Sequence, residues 1–222
     1  MPCAKQHCRA FLVTNHAPPQ IVSGYENISS ADHIIAVDNG LQQVHALGLQ
    51  PHIIIGDLDS LALKLLDLYP AVPIHKHPSA KNETDTELAL LWCLKQEIYT
   101  EIIICNDLQG RFDHALGLVQ NLLLAKSFSS TGSAEFPLRI ESQRQILFTL
   151  PDTLTLNNRR GQLVSLIPLS AEVQLIHSTG LKYPLDNLVL SSHLSRGISN
   201  EIIAPQAVIC KAKGEALVVL SP

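Results

Sequence analysis

The first half of the chain alternates short apolar runs with stretches whose apolar residues recur at helical spacing. The predicted strands are 10–13, 33–37, 53–55 and 101–105, with a short edge strand at 73–75. The predicted helices are 41–47, 61–68, one that begins at Thr84, and 113–126. Alternation of this kind predicts an α/β domain with a parallel sheet and helices packed against it.

The pattern changes near residue 127, where a stretch rich in Ser, Thr and Gly (127–133) has the composition of a linker. Beyond it, short apolar runs are separated by turn residues, with almost no helical period. They lie at 138–140, 146–148, 154–156, 163–167, 173–176, 188–190, 208–210 and 217–220. We therefore predict an α/β domain over 1–130 and an all-β domain, a sandwich or a barrel, over 135–222.

The composition narrows the function classes. The 222 residues are 46% hydrophobic and only 16% charged, so the chain can bury a substantial core. A net charge of −4 without basic runs argues against a general nucleic-acid or membrane-surface binder. The first nine residues are polar rather than signal-like, and five cysteines without CxxC spacing suit a reducing compartment. We expect a cytoplasmic protein without nucleic-acid or membrane partners.

Two aspartates, Asp57 and Asp59, follow the apolar run at 53–55 after a single glycine. In an extended chain, residues i and i+2 point to the same side, so both carboxylates would lie together. Carboxylates that close repel each other unless a cation lies between them, and Mg²⁺ prefers oxygen ligands. The alternative is a solvated turn, for which Gly, Asp and Ser are common residues.

Acidic residues also follow two other predicted strands, at Asp38 and Asp107. In open parallel sheets, ligands bind beyond the carboxyl ends of the strands, where these side chains would meet. Chance acidic turns are the competing interpretation. If the carboxylates do meet, that edge of the sheet is suited to a metal-dependent site.

Residues 81–87 open a predicted helix, in which Thr84 and Glu87 form a capping box. Asp85 could serve the helix dipole alone, or it could be one more carboxylate at the sheet edge. Capping leaves Lys81 unexplained. Both interpretations of Asp85 stay open at this point.

Residues 109–114 join a predicted strand to the next helix through Gly110 and Arg111. A glycine-containing loop that enters a helix exposes backbone N–H groups that bind phosphate, and an arginine adds a bidentate fork. Asp113 could join the acidic group, whereas His114 is more often a packed or supporting residue. The loop has no Walker A spacing. Carboxylates, a Lys, an Arg and a glycine loop together indicate transfer of a phosphate group from a nucleotide held through Mg²⁺.

Five blocks of the sequence, in order, resemble the signature blocks of the thiamine pyrophosphokinase family. They are GDLDS at 56–60, KNETDTELAL at 81–90, GRFDHALGLVQNLLL at 110–124, GLKYPL at 180–185 and GISNE at 197–201. The resemblance implies a catalytic α/β domain, a C-terminal β-sandwich that binds thiamine, and a homodimer with active sites at the subunit interface. It also implies transfer of a pyrophosphoryl group from ATP to the hydroxyethyl group of thiamine, which gives thiamine diphosphate and AMP.

The resemblance further implies roles for individual residues. Asp57, Asp59 and Asp85 would hold Mg²⁺, and Asp113 would be a metal partner or the acceptor of the substrate's hydroxyl proton. The positions implied for ATP binding are Asp38, Lys81, Gly110 and Arg111. Ser199 and Asn200 would hydrogen-bond the aminopyrimidine ring of thiamine.

The chain departs from the family pattern in two loops. Asp38-Asn39-Gly40 stands where the family usually has Asp-Gly-Gly or Asp-Arg-Gly, and residues 106–111 lack two glycines of a common GxxGGR run. Fewer glycines would limit how closely the backbone approaches phosphate, and nucleotide placement could differ. Two alternatives stay open: a related pyrophosphokinase that acts on a pterin-like alcohol, and a non-catalytic nucleotide or thiamine-phosphate binding protein.

Overall fold

The computed structural model describes residues 8–59, 63–127 and 137–221. The chain divides into two compact units, Met1–Gln143 and Arg144–Pro222. The two units are described separately below.

The first unit contains a fully parallel six-stranded sheet in the order β6-β5-β1-β2-β3-β4. Its strands are β1 (Arg9–Val13), β2 (His33–Val37), β3 (Ile53–Gly56), β4 (Ile74–Lys76), β5 (Glu101–Cys105) and β6 (Leu138–Glu141). The central strands are buried almost throughout, as parallel strands covered on both faces must be. The predicted edge strand is present as β4, whose three residues are exposed.

Helices cover both faces of this sheet. They are α1 (Gly40–Ala46), α2 (Leu63–Leu66), α3 (Asp85–Gln96) and α4 (Phe112–Asn121), with 3₁₀ turns at Tyr25–Asn27 and Leu122–Ser127. Leu41 and Val44 of α1 pack with Phe11 and Ile54 on one face. Helix α3 contacts β1, β2 and β3 but has no residue in that cluster, so it covers the opposite face. The predicted three-layer α/β architecture is confirmed.

The boundary between the units lies later than the sequence predicts. Residues 138–141 do not start the all-β domain, because β6 pairs in parallel with β5. The buried Arg139 strengthens this pairing: its Nη1 lies 2.6 Å from Glu101 Oε2 on β5, and its Nε lies 2.7 Å from Glu141 Oε1. Of the linker predicted at 127–133, residues 128–133 lie outside the described residues.

The second unit is a sandwich of two antiparallel sheets. One has the order β12-β9-β14-β7 and the other β11-β10-β13-β8. The strands are β7 (Ile146–Thr149), β8 (Thr153–Asn157), β9 (Leu163–Pro168), β10 (Glu172–Thr179), β11 (Val189–Ser191), β12 (Asn200–Glu201), β13 (Gln206–Lys213) and β14 (Ala216–Ser221). Buried positions recur at every second residue along β8, β9 and the first half of β10, so one face of each strand enters the core. The choice between sandwich and barrel is thereby settled.

Two predicted helices are shorter in the structure. The described part of the 61–68 prediction is helical only over Leu63–Leu66, and Asn121 ends α4 before a 3₁₀ turn. Among the described residues, no helix is long and apolar enough to cross a membrane.

Asp32 lies just before β2 and links the start of this strand to the start of β1. Its side chain is 1% exposed and accepts hydrogen bonds from Arg9 N at 2.9 Å, Arg9 Nη2 at 2.7 Å and Ser29 N at 2.8 Å. Burial by itself would raise the pKa of Asp32, but the hydrogen bonds from Arg9 and Ser29 outweigh it and lower the pKa to about 2.

We expect Asp32→Asn to lower the free energy of unfolding at neutral pH by about 2–3 kcal/mol. The folded-state pKa lies below the ordinary value of 3.8, so this stability is present above pH 3.8 and lost as the pH falls through about 2. The variant should show a flatter dependence of stability on pH in that window. Denaturant unfolding followed by fluorescence of Trp92, the only tryptophan, measures this. Asp152→Asn, at a side chain that is 95% exposed, is the control.

Candidate active site

Three aspartates from separate elements meet at the carboxyl edge of the parallel sheet. Asp38 follows β2, Asp57 follows β3 and Asp85 is the first residue of α3. One carboxylate oxygen from each lies within 4.8 Å of the others. Parallel strands place these turns side by side, which is why residues far apart in sequence form one cluster.

Lys81 supplies positive charge to this acidic cluster. Its Nζ lies 2.9 Å from Asp85 Oδ1 and 3.4 Å from Asp57 Oδ2. The N–H of Asp59 and the charge of Lys81 lower the pKa of the Asp57 carboxyl. Burial opposes the charged form of Lys81, but Asp85 and Asp57 outweigh it and raise the pKa of the ammonium. The ammonium group of Lys81 therefore lies between the carboxylates of Asp57 and Asp85 as a positively charged partner of both.

Asp59 is not one of the three clustered aspartates. Leu58 has a left-handed backbone with φ of 62°, so residues 57–59 are not extended, and the prediction that Asp57 and Asp59 point to the same side is wrong. Instead, the backbone N–H of Asp59 donates to Asp57 Oδ1 at 3.2 Å. This turn orients the Asp57 carboxylate. A direct metal contact by Asp59 stays a prediction.

The start of α3 has the predicted capping. Thr84 has an extended backbone, and its Oγ1 accepts a hydrogen bond from Glu87 N at 3.1 Å. This cap fixes where the helix begins and hence where Asp85 lies. Both interpretations of Asp85 therefore hold, because this residue lies in the first turn of α3 and also belongs to the acidic cluster.

The loop between β5 and α4 is held in place by Asn106, which occupies a glycine position of the family pattern. Asn106 Nδ2 donates to Thr14 Oγ1 at 2.7 Å, and its Oδ1 accepts from Leu108 N at 2.6 Å. Among the described residues of 106–111, only Leu108 and Gly110 have positive φ, at 55° and 86°. The glycines missing at 106 and 109 are therefore not required by backbone conformation.

Position 110 requires a glycine for two reasons: its backbone φ is positive, and the side chain of His16 lies close to it. A Cβ at this position would lie 3.0 Å from His16 Nε2. The backbone N–H of Asp107 also donates to His16 O at 2.9 Å, and Asp107 Oδ1 accepts from Gln143 N at 2.9 Å. Asp107 thus holds the loop and does not join the acidic cluster.

Arg111 and Asp113 pair with each other at the start of α4. Arg111 Nε lies 3.1 Å from Asp113 Oδ1, and Arg111 Nη2 donates to Asp113 Oδ2. Both side chains are more than half exposed. The hydrogen bond from Arg111 lowers the pKa of Asp113. In this structure Asp113 does not complete the acidic cluster, and it supports the Arg111 fork.

A cavity of 530 Å³ lies beside these groups, entirely within the first unit. Its lining includes Asp38, Asp85 and Asp113. Sequence reasoning missed Thr14, Asn15 and His16, which follow β1 and line the same cavity. Their position after β1 could have identified them, because β1 also ends at the carboxyl edge of the sheet. They were missed because none of the three is a carboxylate.

In the second unit, Ser199 and Asn200 differ in accessibility. Asn200 is 5% exposed, its Oδ1 accepts from Tyr183 N at 3.0 Å, and its Nδ2 donates to Tyr183 O at 2.7 Å. The Asn200 amide is therefore occupied by the backbone of its own unit. Ser199 is exposed, has φ of 58°, and lies next to this clamp, while Tyr183 is 61% exposed.

Known proteins match both parts of the chain. The family model described as "Thiamin pyrophosphokinase, catalytic domain" matches residues 25–131, and "Thiamin pyrophosphokinase, vitamin B1 binding domain" matches residues 153–213. A thiamine pyrophosphokinase of Bacillus subtilis (strain 168) is 30% identical over 191 residues, covering 84% of this chain and 86% of the relative. The chain belongs to the thiamine pyrophosphokinase family.

Other relatives agree with this assignment. Thiamin pyrophosphokinase 1 of Caenorhabditis elegans is 26% identical over 208 residues, covering 88% of this chain and 82% of the relative. The crystal structure of thiamine pyrophosphokinase from Bacillus subtilis superposes with a TM-score of 0.81 at 24% identity, covering 96% of this chain and 98% of that chain, which shows the fold. The predicted family is confirmed, and the pterin and non-catalytic alternatives are not supported.

Proposed function

We propose that this protein is a thiamine pyrophosphokinase that uses ATP. The hydroxyethyl oxygen of thiamine attacks the β-phosphorus and releases its proton, and the bond from that phosphorus to the α-side oxygen breaks. The products are thiamine diphosphate, AMP and the released proton. The acidic cluster beside Lys81 and the cavity carries this proposal, because its residues lie within 25–131, the part of the chain that the catalytic-domain family model matches. A second candidate function has no observation in its favour.

The acidic cluster fits a magnesium ion. Three carboxylate oxygens within 4.8 Å are the donors that a hard cation takes, and Lys81 already holds positive charge between two of them. In this proposal Asp38, Asp57 and Asp85 hold Mg²⁺, with Asp59 as a further candidate ligand. The ion would neutralise charge on the polyphosphate.

The phosphates of ATP are assigned to the basic groups around the cluster. Lys81 lies between Asp57 and Asp85, from which its flexible ammonium can move to a phosphate oxygen. Gly110 precedes α4 with its backbone close to His16, and Arg111 presents an exposed guanidinium supported by Asp113. Transfer of this kind depends on positioning and charge neutralisation, which these residues supply.

The thiamine ring is assigned to the second unit, next to Ser199. We expect Ser199→Ala to raise the KM for thiamine by about threefold to tenfold, because one hydrogen bond to the ring is lost. Asn200→Ala should instead destabilise the second unit by about 1–3 kcal/mol, since two backbone groups of Tyr183 lose their partner. Steady-state kinetics and thermal unfolding separate the two effects. An equal rise in the KM for ATP in Ser199→Ala would contradict this assignment.

Assembly and location follow the same proposal. A homodimer with active sites at the subunit interface is proposed from family likeness, and the mass of the protein in solution tests it. Cys8, Cys93, Cys105 and Cys210 are free thiols, which supports a reducing location such as the cytoplasm.

The decisive experiment is a coupled assay for AMP release from Mg-ATP with thiamine or a pterin alcohol as acceptor. AMP that appears in step with thiamine diphosphate is the expected result. ADP as product would indicate transfer of a single phosphoryl group. ATP binding without turnover of either acceptor would support a binding protein and overturn the proposed function.

A further inference from the structure

Gly117 lies in the interior of α4, where glycine needs a physical reason. A glycine there is about 1 kcal/mol less favourable than alanine, because it increases the entropy lost on folding. Its φ is not positive, so the backbone does not demand glycine. A Cβ built at this position meets no described atom within 4 Å, so packing does not demand it either.

Gly117 instead lines the cavity. Six residues of the helix line this space. Ala115 is one of them, and the other five follow the spacing of a single helical face: Asp113, His114, Gly117, Leu118 and Asn121. From Asp113 to Asn121 this face extends about 12 Å along the helix. The missing side chain at 117 opens a flat apolar surface midway, with Ala115 and Leu118 beside it.

The two ends of this face differ in chemistry. Arg111 is the N-cap of this helix and Gly110 precedes it, and the proposed function places phosphates at this end. Neither Gly117 nor Leu118 carries charge, and the carboxamide of Asn121 follows one turn later. No hydrogen bond joins the Asn121 side-chain amide to another residue in the described part of the chain. A ligand that fits has anionic groups near the helix start, a planar ring one turn on, and polar atoms at the ring's far edge.

We propose that the base of the nucleotide substrate lies against α4 at Gly117, and that the Asn121 amide hydrogen-bonds the edge of that base. This inference rests on the proposed function, since it takes the phosphates of ATP to lie at the start of α4. A carboxamide can donate to and accept from an adenine edge at the same time. Gly117 and Asn121 then set nucleotide affinity and base preference without taking part in the transfer step.

The test uses the full chain with Gly117→Leu, Gly117→Ala and Asn121→Leu. Gln120→Leu is the matched control, because Gln120 is exposed on the same helix and does not line the cavity. ADP binding with Mg²⁺ and without thiamine is measured by calorimetry, and the KM values for ATP and thiamine are measured separately. Circular dichroism and thermal unfolding report whether each variant folds.

We expect Gly117→Leu to weaken ADP binding and raise the KM for ATP at least about tenfold, with the KM for thiamine within about twofold of the parent. Gly117→Ala should weaken ADP less while raising thermal stability, so the proposal does not depend on a variant that fails to fold. Asn121→Leu should reduce the preference for ATP over GTP, because the replacement lacks hydrogen-bonding groups. Gln120→Leu should leave these values unchanged.

A rise in the KM for thiamine alone would place the acceptor ring on this face and overturn the proposal. Unchanged ADP binding in folded Gly117→Leu would also overturn it. If the parent protein shows no transfer but ADP binding still weakens in Gly117→Leu, the proposed function fails and the nucleotide inference stands.

Discussion

Asp57→Asn is expected to remove at least about 99% of turnover while the protein stays folded. The substitution is nearly isosteric and deletes one charge from the cluster of Asp38, Asp57 and Asp85. An amide cannot replace a carboxylate as partner of both Lys81 and a metal ion. The measurements are AMP release at saturating ATP and thiamine, and the Mg²⁺ concentration that gives half-maximal activity, which should rise.

Two further variants complete this experiment. Asp152→Asn makes the same chemical change at a side chain in the second unit that is 95% exposed, and it should keep parental turnover. Asp59→Asn tests the neighbouring aspartate: a comparable loss would add Asp59 to the metal ligands, whereas intact turnover would leave its role to the turn at Asp57. Near-parental activity in Asp57→Asn would refute the metal assignment.

Lys81→Met is expected to lower kcat/KM for ATP by at least about a hundredfold, because methionine keeps the apolar stem and loses the charge that binds phosphate. The same variant should bind Mg²⁺ more tightly in the absence of ATP. The ammonium lies 2.9 Å from Asp85 and 3.4 Å from Asp57, so its removal leaves these carboxylates without a competing cation. Steady-state kinetics and calorimetric Mg²⁺ titration measure the two opposite changes.

Lys64→Met is the control for this second experiment. Lys64 is exposed on α2, and its replacement should alter neither quantity. If Lys81→Met kept the parental KM for ATP and the parental Mg²⁺ affinity, Lys81 would be a structural partner of the aspartates and not a phosphate ligand.

The local sequence pattern was sufficient to predict most strands and helices of the α/β unit. Uninterrupted apolar runs located the central strands, because parallel strands are buried on both faces and need no alternation. The capping box at Thr84 located the start of α3, because a cap is satisfied within four consecutive residues. The boundary between the units was misplaced, since the pairing of β6 with β5 joins residues separated by more than 30 positions.

The candidate site divides in the same way. The sequence identified Asp38, Asp57, Asp85 and Lys81 as chemically important, and the structure brings them together. It also identified Asp113 and Asn200, which the structure pairs with Arg111 and with the Tyr183 backbone. Residue type and motif spacing indicate which interactions a side chain can form. They do not indicate which neighbouring group it pairs with in the folded protein.

By itself the sequence determined the fold class, the family, the order of the elements and the set of carboxylates available for a metal. The tertiary structure decided which of them meet, the turn at Leu58, the burial of Asn200 and the open surface at Gly117. Periodicity and capping depend on neighbours within a few residues, whereas clusters and cavities depend on which strand ends and helix faces the sheet order makes adjacent.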